Sequence, residues 1–588
     1  MLTNRLTRAL WASTLMLAAC HNHGSTGAAP AGPEPSVAVT FPAGWRFTAG
    51  TRAAFAENEM VVSNGPLASE AGLEILAAGG SAVDAAVATG FALAVVHPAA
   101  GNIGGGGFAV IRLGNGITRA IDFREMAPAA ATRDMYIDPA TGKVGNKGRV
   151  GHLASGVPGS VAGLLAMLDR DGTMKRAQVL APAIRLAKGF VLSEQLARAF
   201  QRDSNSLCRF GHCEAFFPNG VALKAGDTLR QPALARTLER IAAEGEKGFY
   251  RGPVAQAIAA EMKRGGGIIT EADLAAYRVK WRKPLVGEYH GHTIISMPPA
   301  SSGGTTLIET LNILDAFGAP APAGSVQNLH RMLGALQLAF IDRNNYLGDP
   351  DFVRNLPISK LIDRKYAQQQ RARLSETKYV STKELGPGLT AVGEGVHTTH
   401  YSVVDRAGNA VAVTTTLNGG YGSNVWIPDA GFLMNNEMDD FTSQPGTPNG
   451  FGLVQGEANA IVPGKRMLSA MAPTIVLDAR KEVALVIGSA GGPRIISGVA
   501  QIIANVIDHR MSLWDAMAAP RIHFQGLPEA VGFERDGIAP AVVDSLTAMG
   551  WSFEGGGGAS SSPIAIRRVL GGWEGVFDPR TQGGVAGR

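Results

Sequence analysis

The segment spanning residues 396–418 constrains this chain most. The run from Val396 to Asp405 is rich in β-formers, Arg406-Ala407-Gly408 is a short turn, and Asn409 to Asn418 returns with similar composition. Two such runs joined by a Gly-bearing turn read as an antiparallel hairpin. A turn centred on Ala407 sets Asp405 opposite Asn409, and counting outward sets Thr398 opposite Thr416. Directly opposed side chains have Cβ atoms ~4.5–5.5 Å apart, within reach of a hydroxyl–hydroxyl hydrogen bond. Such threonine pairs commonly do no more than stabilise a sheet. The pair becomes chemistry if Thr398 is a nucleophile. Threonine is weak at its free pKa and needs an adjacent base, which a chain-terminal amine can supply. An internal threonine acquires that amine only when the chain is cut before it.

The motifs flanking the hairpin decide between these readings. Before it come Asn102-Ile103-Gly104-Gly105-Gly106-Gly107-Phe108, Asp122-Phe123-Arg124-Glu125-Met126-Ala127-Pro128 and His152-Leu153-Ala154-Ser155-Gly156-Val157-Pro158-Gly159. Ser296-Met297-Pro298-Pro299-Ala300-Ser301-Ser302-Gly303-Gly304 and Tyr346-Leu347-Gly348-Asp349-Pro350 follow. After it come Met434-Asn435-Asn436-Glu437-Met438-Asp439-Asp440-Phe441 and Gly488-Ser489-Ala490-Gly491-Gly492. In this order the chain resembles the bacterial γ-glutamyltransferases (γ-glutamyltranspeptidases) of the N-terminal nucleophile hydrolase superfamily, from about Ala53 to nearly the C-terminus.

The resemblance implies an α+β fold, a four-layer αββα sandwich. It implies a precursor that cuts itself between His397 and Thr398, leaving a large subunit (51–397) and a small one (398–588) that stay together as a heterodimer. The route is an N→O acyl shift: the hydroxyl attacks the preceding carbonyl, and water opens the ester. The freed α-amine, with an unperturbed pKa of ~7.7–8.0, suits general-base work. The implied activity moves the γ-glutamyl group of glutathione or a γ-glutamyl amide through an ester on Thr398. The acceptor is water, an amino acid or a dipeptide. No cofactor and no metal are implied.

A γ-glutamyl group carries an α-carboxylate and an α-ammonium, and the matching positions supply partners for both. Arg124 corresponds to the arginine that grips the carboxylate, which a guanidinium can do bidentately; Ser469 adds a hydroxyl. Glu437 and Asp440 correspond to the ammonium-holding acids. An acidic loop of this kind can also be a solvated surface or a metal site, but no histidine or second acidic cluster lies nearby at ligand spacing. Asn418, two residues beyond Thr416, is expected on the same strand face. Gly491 and Gly492 correspond to the pair whose N–H groups form an oxyanion hole, worth ~2.7–4 kcal/mol per donor. The run Gly104–Gly107 lacks the Gly-Lys-Ser/Thr ending of a phosphate loop, and is expected to pack behind the Arg124 strand. Two positions depart from the commonest pattern: Ser469-Ala470 replaces Ser-Ser, and Phe451 replaces a lid tyrosine.

Two rival readings remain. One is an acylase of the same fold acting on glutaryl amides, of the cephalosporin type, which has no need of an ammonium site. The other is an uncut, inactive lipoprotein that binds peptides.

The rest of the sequence places the molecule. Arg5 and Arg8 precede the apolar stretch Ala9–Ala19, which reads as a secretory signal. Leu17-Ala18-Ala19-Cys20 resembles a lipoprotein processing box, so residues 1–19 are expected to be removed and Cys20 lipidated; an ordinary signal cleavage is the alternative. His21 in place of Asp favours the outer membrane, facing the periplasm. Residues 20–50, rich in Gly, Pro, Ala and Thr, are expected to be a flexible tether. Cys208 and Cys213 form either a small disulfide loop or two free thiols. The net charge of +5 is spread along 588 residues with no Lys/Arg-dense run, which argues against nucleic acid. No other apolar run reaches the ~18–20 residues of a spanning helix. Helices are expected over 68–96, broken at Gly79-Gly80, and over 229–244, 254–263 and 326–347, the last capped by Ser325. In the last third, strands are expected near 398–417, 431–435, 474–477 and 483–487, with a helix near 496–508.

Overall fold

The computed structural model describes residues 36–386, 398–444, 447, 456–554, 559 and 561–588. Cys20 and the signal segment, His397, Phe451 and Gly555–Gly558 lie outside the described residues.

The hairpin forms the centre of a seven-stranded antiparallel sheet. Thr398–Val404 pairs with Ala410–Thr416, with Thr398 opposite Thr416 and Val404 opposite Ala410. Outward from the first strand lie Met60–Ser63 and Gly584–Gly587; outward from the second lie Gly106–Arg112, Thr118–Phe123 and Lys280–Arg282. A second seven-stranded sheet runs Ala54–Ala56, Gly572–Phe577, Ser562–Val569, Val483–Ala490, Thr474–Leu477, His292–Ser296, Leu285–Tyr289.

The period of two along a strand sends alternate residues into two different cores. Val403, Val411, Val413, Ala109 and Ile121 face a helical layer that includes Pro66–Ala77, Ala82–Val96 and Ser160–Asp171. Val404, Ala412, Phe108 and Val110 instead meet Ile475, Val486 and Ile566 of the second sheet. Helices Gly303–Asp315, Val326–Tyr346 and Arg494–Ile507 cover the other side of that sheet. The layers are therefore helix, sheet, sheet, helix. Both faces of the hairpin are covered, which is why its strands carry no Asp, Glu, Lys or Arg and their one histidine, His400, is buried.

The first two helices are separated by Gly79, at φ +90°, and the second starts at a Ser81–Asp84 capping box. Ser325 caps the Val326–Tyr346 helix by accepting the Asn328 N–H. The helix expected from residue 229 starts at Pro232, a residue suited to a first turn; Thr228–Leu229 pair with Phe190–Val191 as strands. Cys208 and Cys213 are joined as a disulfide, with Cα atoms 5.2 Å apart.

The tether needs correction at its end. Val37 N–H donates to Arg510 O (2.8 Å), Trp45 Nε1 to Ala518 O (2.9 Å) and Gly50 N–H to Asp515 Oδ1 (2.7 Å). The Arg580 guanidinium lies 5.4 Å from the Trp45 ring and 5.0 Å from that of Phe47. Composition reads residues 20–50 as linker because Gly, Pro, Ala and Thr are abundant across the whole span; Trp45 and Phe47 are the anchors that the average conceals.

Candidate active site

At the open end of the hairpin, Thr398 Oγ1 and Thr416 Oγ1 lie 3.3 Å apart. The strand stops at Thr416. Asn418 has φ +74° and turns away from the strand path, so strand periodicity is not what places it. Its N–H donates to Thr416 Oγ1 (2.7 Å), and its Nδ2 donates to Asn436 O (3.0 Å).

From the other side Asn102 clamps the hairpin. Its Nδ2 donates to Thr416 O (2.9 Å), and its Oδ1 accepts the Gly105 N–H and the Ser160 hydroxyl. The glycine run is what permits this approach. A Cβ on Gly105 would stand 2.0 Å from Thr416 O, and one on Gly106 2.6 Å from Glu125 Oε2. The run therefore packs between the Thr416 strand and the residues that carry Arg124, as close backbone contact requires.

Arg124 follows the Thr118–Phe123 strand and is 1% exposed. Its Nη1 donates to Glu437 and its Nη2 to Asp440, while Nε donates to Met467 O at 3.3 Å. Glu437 and Asp440 bracket a single 3-10 turn, which aims both carboxylates at the same guanidinium. Glu125 brings a third carboxylate, 3.6 Å from Arg124 Nη1. Burial pushes Glu125 up to about 7 and Asp440 up to about 6, with Arg124 opposing both rises. Burial likewise raises Glu437 well above the carboxylate range. Burial pulls Arg124 down, but Glu437, Asp440 and Glu125 together hold it above its ordinary value. The cavity lining thus sets two acids, Glu437 and Asp440, beside two guanidiniums, Arg124 and Arg343, with Glu125 buried against Arg124 outside the lining.

Another part of the cavity wall is built from Ser469 and its neighbours. Ser469 N–H donates to Ala300 O (3.0 Å), and its Oγ accepts the Met471 N–H (3.1 Å). Gly491 and Gly492 sit where the Val483–Ala490 strand passes into the Arg494–Ile507 helix, at φ +134° and +56°. Gly492 lines one cavity with Thr398, Thr416, Asn418, Arg124, Glu437, Asp440, Ser469, Ala470 and Arg343. Gly491 precedes it in the chain and is not among the lining residues.

Three contributors escape a reading by motif. Asn102 and Glu125 stand in the quoted motifs without a role of their own, and Arg343 falls in the helix expected over 326–347. Burial marks it: Arg343 is 1% exposed, and a guanidinium withdrawn from water requires partners.

The sequence profile described as Gamma-glutamyltranspeptidase matches residues 68–588. A glutathione hydrolase proenzyme of Escherichia coli (strain K12) is 47% identical over 499 residues, covering 84% of this chain and 86% of its own. An acylase ACY 1 proenzyme of Pseudomonas sp. (strain SE83) is 39% identical over 513 residues, covering 86% and 88%. Among solved structures, a cephalosporin acylase from Bacillus halodurans superimposes with a TM-score of 0.78 at 28% identity, covering 94% of this chain and 99% of its own. A Helicobacter pylori gamma-glutamyltranspeptidase gives 0.53 at 45% identity, covering 59% and 99%.

Proposed function

This chain belongs to the γ-glutamyltranspeptidase family, and on that footing we propose that Thr398 is both its self-cleavage point and its catalytic nucleophile. The enzyme is a self-processing γ-glutamyltransferase and glutathione hydrolase made of two subunits from one precursor. The observation that carries the residue assignment is one cavity holding the Thr398–Thr416 hydroxyl pair beside the Arg124 guanidinium paired to two buried acids, Glu437 and Asp440.

Cleavage before Thr398 frees its α-amine. The amine takes the hydroxyl proton as Oγ attacks the γ-carbonyl carbon of the donor. Negative charge gathers on the carbonyl oxygen, where the Gly491 and Gly492 N–H groups would receive it. The C–N bond breaks, the amine's proton passes to the leaving nitrogen, and a γ-glutamyl ester remains on Thr398. Water or an acceptor amine repeats the sequence in reverse roles. Thr416 holds the Thr398 hydroxyl in line, and Asn418 holds Thr416.

The donor's α-carboxylate is assigned to Arg124 and Ser469, and its α-ammonium to Glu437, Asp440 and Asn418. A zwitterion suits this pocket because its two charges replace one internal ion-pair set with two complementary ones. A glutaryl group adds a carboxylate and no cation to a site already rich in acids, which disfavours the acylase reading. Purified protein should therefore hydrolyse a γ-glutamyl anilide with a far higher kcat/KM than a glutaryl anilide; the reverse preference would replace this reading with the acylase one.

We further place the enzyme in the periplasm, tethered to the outer membrane by lipid on Cys20, on the strength of the Leu17-Ala18-Ala19-Cys20 box. Cys20→Ala should move the protein from the membrane fraction to the soluble one. Wild-type protein that is already soluble and unlabelled by radioactive fatty acid would contradict this.

A further inference from the structure

We propose that Arg343 is a positioning residue of the donor-carboxylate site, acting through Ser302 on Ser469. The inference rests on the reading above, that Arg124 and Ser469 receive an α-carboxylate.

Arg343 projects from the last turn of the Val326–Tyr346 helix into the wall of the cavity that holds Thr398. Its Nε donates to Ser302 Oγ at 2.8 Å, and its Nη1 to Asn344 Oδ1 at 2.9 Å. Ser302 spends its own hydrogen on Ser469 O (2.6 Å), and its N–H donates to the same oxygen (2.8 Å). A hydroxyl that donates in a fixed direction needs a donor on its lone pairs to lock its rotamer, and Arg343 Nε is that donor.

The chain of bonds ends on the Ser469 backbone. The Ser469 hydroxyl accepts the Met471 N–H, which leaves its hydrogen for a ligand. With Ala470 next door, Ser469 supplies the only side-chain hydroxyl of that pair, so its placement decides whether the carboxylate gains a donor there. The Arg343 charge also acts on Asp440, opposing the rise that burial imposes on that acid. A guanidinium fully withdrawn from water is costly to keep as mere filling, and this one joins the two sides of the proposed donor site.

The test uses Arg343→Gln, Arg343→Lys and Ser302→Ala in the full-length, processed enzyme. Each is assayed on a γ-glutamyl anilide and on a 4-aminobutyryl anilide, which keeps the ammonium and lacks the α-carboxylate. Losing a charge-assisted hydrogen bond should raise KM for the γ-glutamyl donor about ten- to hundredfold in Arg343→Gln, with kcat changed much less. The loss on the 4-aminobutyryl donor should be smaller in Arg343→Gln, where only the support to Asp440 is removed, and near nil in Ser302→Ala, which should show a weaker KM rise on the γ-glutamyl donor alone; Arg343→Lys should recover part of the loss. Equal losses on both donors, or an unchanged KM in processed Arg343→Gln, would overturn the inference. Should Arg343→Gln fail to process, Ser302→Ala decides on the same criterion. A wild-type enzyme that treats the two donors alike would overturn the carboxylate reading itself, whatever the variants do.

Discussion

The nucleophile hairpin and the acidic turn meet in one cavity but are held by opposite means. Around Thr398 and Thr416 the partners are neutral: a hydroxyl, the Asn418 N–H and the Asn102 amide. Two residues below, His400 is buried against Gly488, and burial pushes its pKa down to about 3, so it too is uncharged. Position here follows from β register and from glycines that let strands touch. Around Arg124, by contrast, ionisable groups dominate: Glu437, Asp440 and Glu125 surround it, and Arg343 lines the same cavity. The contrast suggests a division of labour: backbone geometry places the chemistry, and an ion-paired site chooses the substrate.

The sharpest way to break that division is Asp440→Asn. Removing one partner of a buried ion pair costs about 3–5 kcal/mol, roughly two to four powers of ten in kcat/KM. If the acid serves recognition, that loss should fall on a γ-glutamyl anilide and only weakly on a glutaryl anilide. Equal losses would mean that Asp440 supports the hairpin or the chemistry, and the two regions are not separable.

A second prediction follows from protonation. An unfolded aspartate or glutamate ionises from about pH 4, whereas Asp440 and Glu125 hold their protons until about pH 6 and about pH 7. The folded protein binds more protons across that window. The contribution of these acids to stability should therefore fall as pH rises from about 4 to 7 and stay level above. The groups facing them are Arg124, Arg343, Glu437 and Asp439. Thermal melts of wild type and Asp440→Asn isolate the effect: the difference between them should change through pH 4–6 and be flat above pH 7. A difference independent of pH would contradict the charge account.

The smallest expected effect comes from Ala470→Ser. Ala470 lines the cavity and is 8% exposed. A second hydroxyl beside Ser469 should contribute about 0.5–1.5 kcal/mol, lowering KM for γ-glutamyl donors by roughly two- to tenfold. It should leave the position of the self-cleavage cut unchanged. A rise in KM would mean that the pocket wall has no room there for a hydroxyl.

The hairpin register was legible in the sequence because a short Gly-bearing turn leaves little freedom: once Asp405 faces Asn409, every pair to Thr398–Thr416 follows. The layered fold and the family were legible through ordered motifs. Asn418 was expected in the right place for the wrong reason, since the chain leaves the strand at Thr416 in a left-handed turn. Arg343 and Asn102 were not legible because their roles depend on partners far away in sequence, Ser302 and Thr416. The role of Glu125 was not legible because sequence shows that it neighbours Arg124 but not that both are withdrawn from water. The docked stretch from Val37 to Gly50 was read as tether because two aromatic anchors carry little weight in an average.

The central claim is that one residue, Thr398, is both the place where the chain is cut and the group that attacks. It is tested most directly by mass and N-terminal sequence of the denatured protein, before and after a brief reaction with a γ-glutamyl donor. Wild type should give two chains, the smaller beginning at Thr398 and gaining the mass of one γ-glutamyl group on that residue. Thr398→Ala should give one uncut, inactive chain. A small chain that begins elsewhere, an acyl group on another residue, or activity in uncut Thr398→Ala would contradict the account.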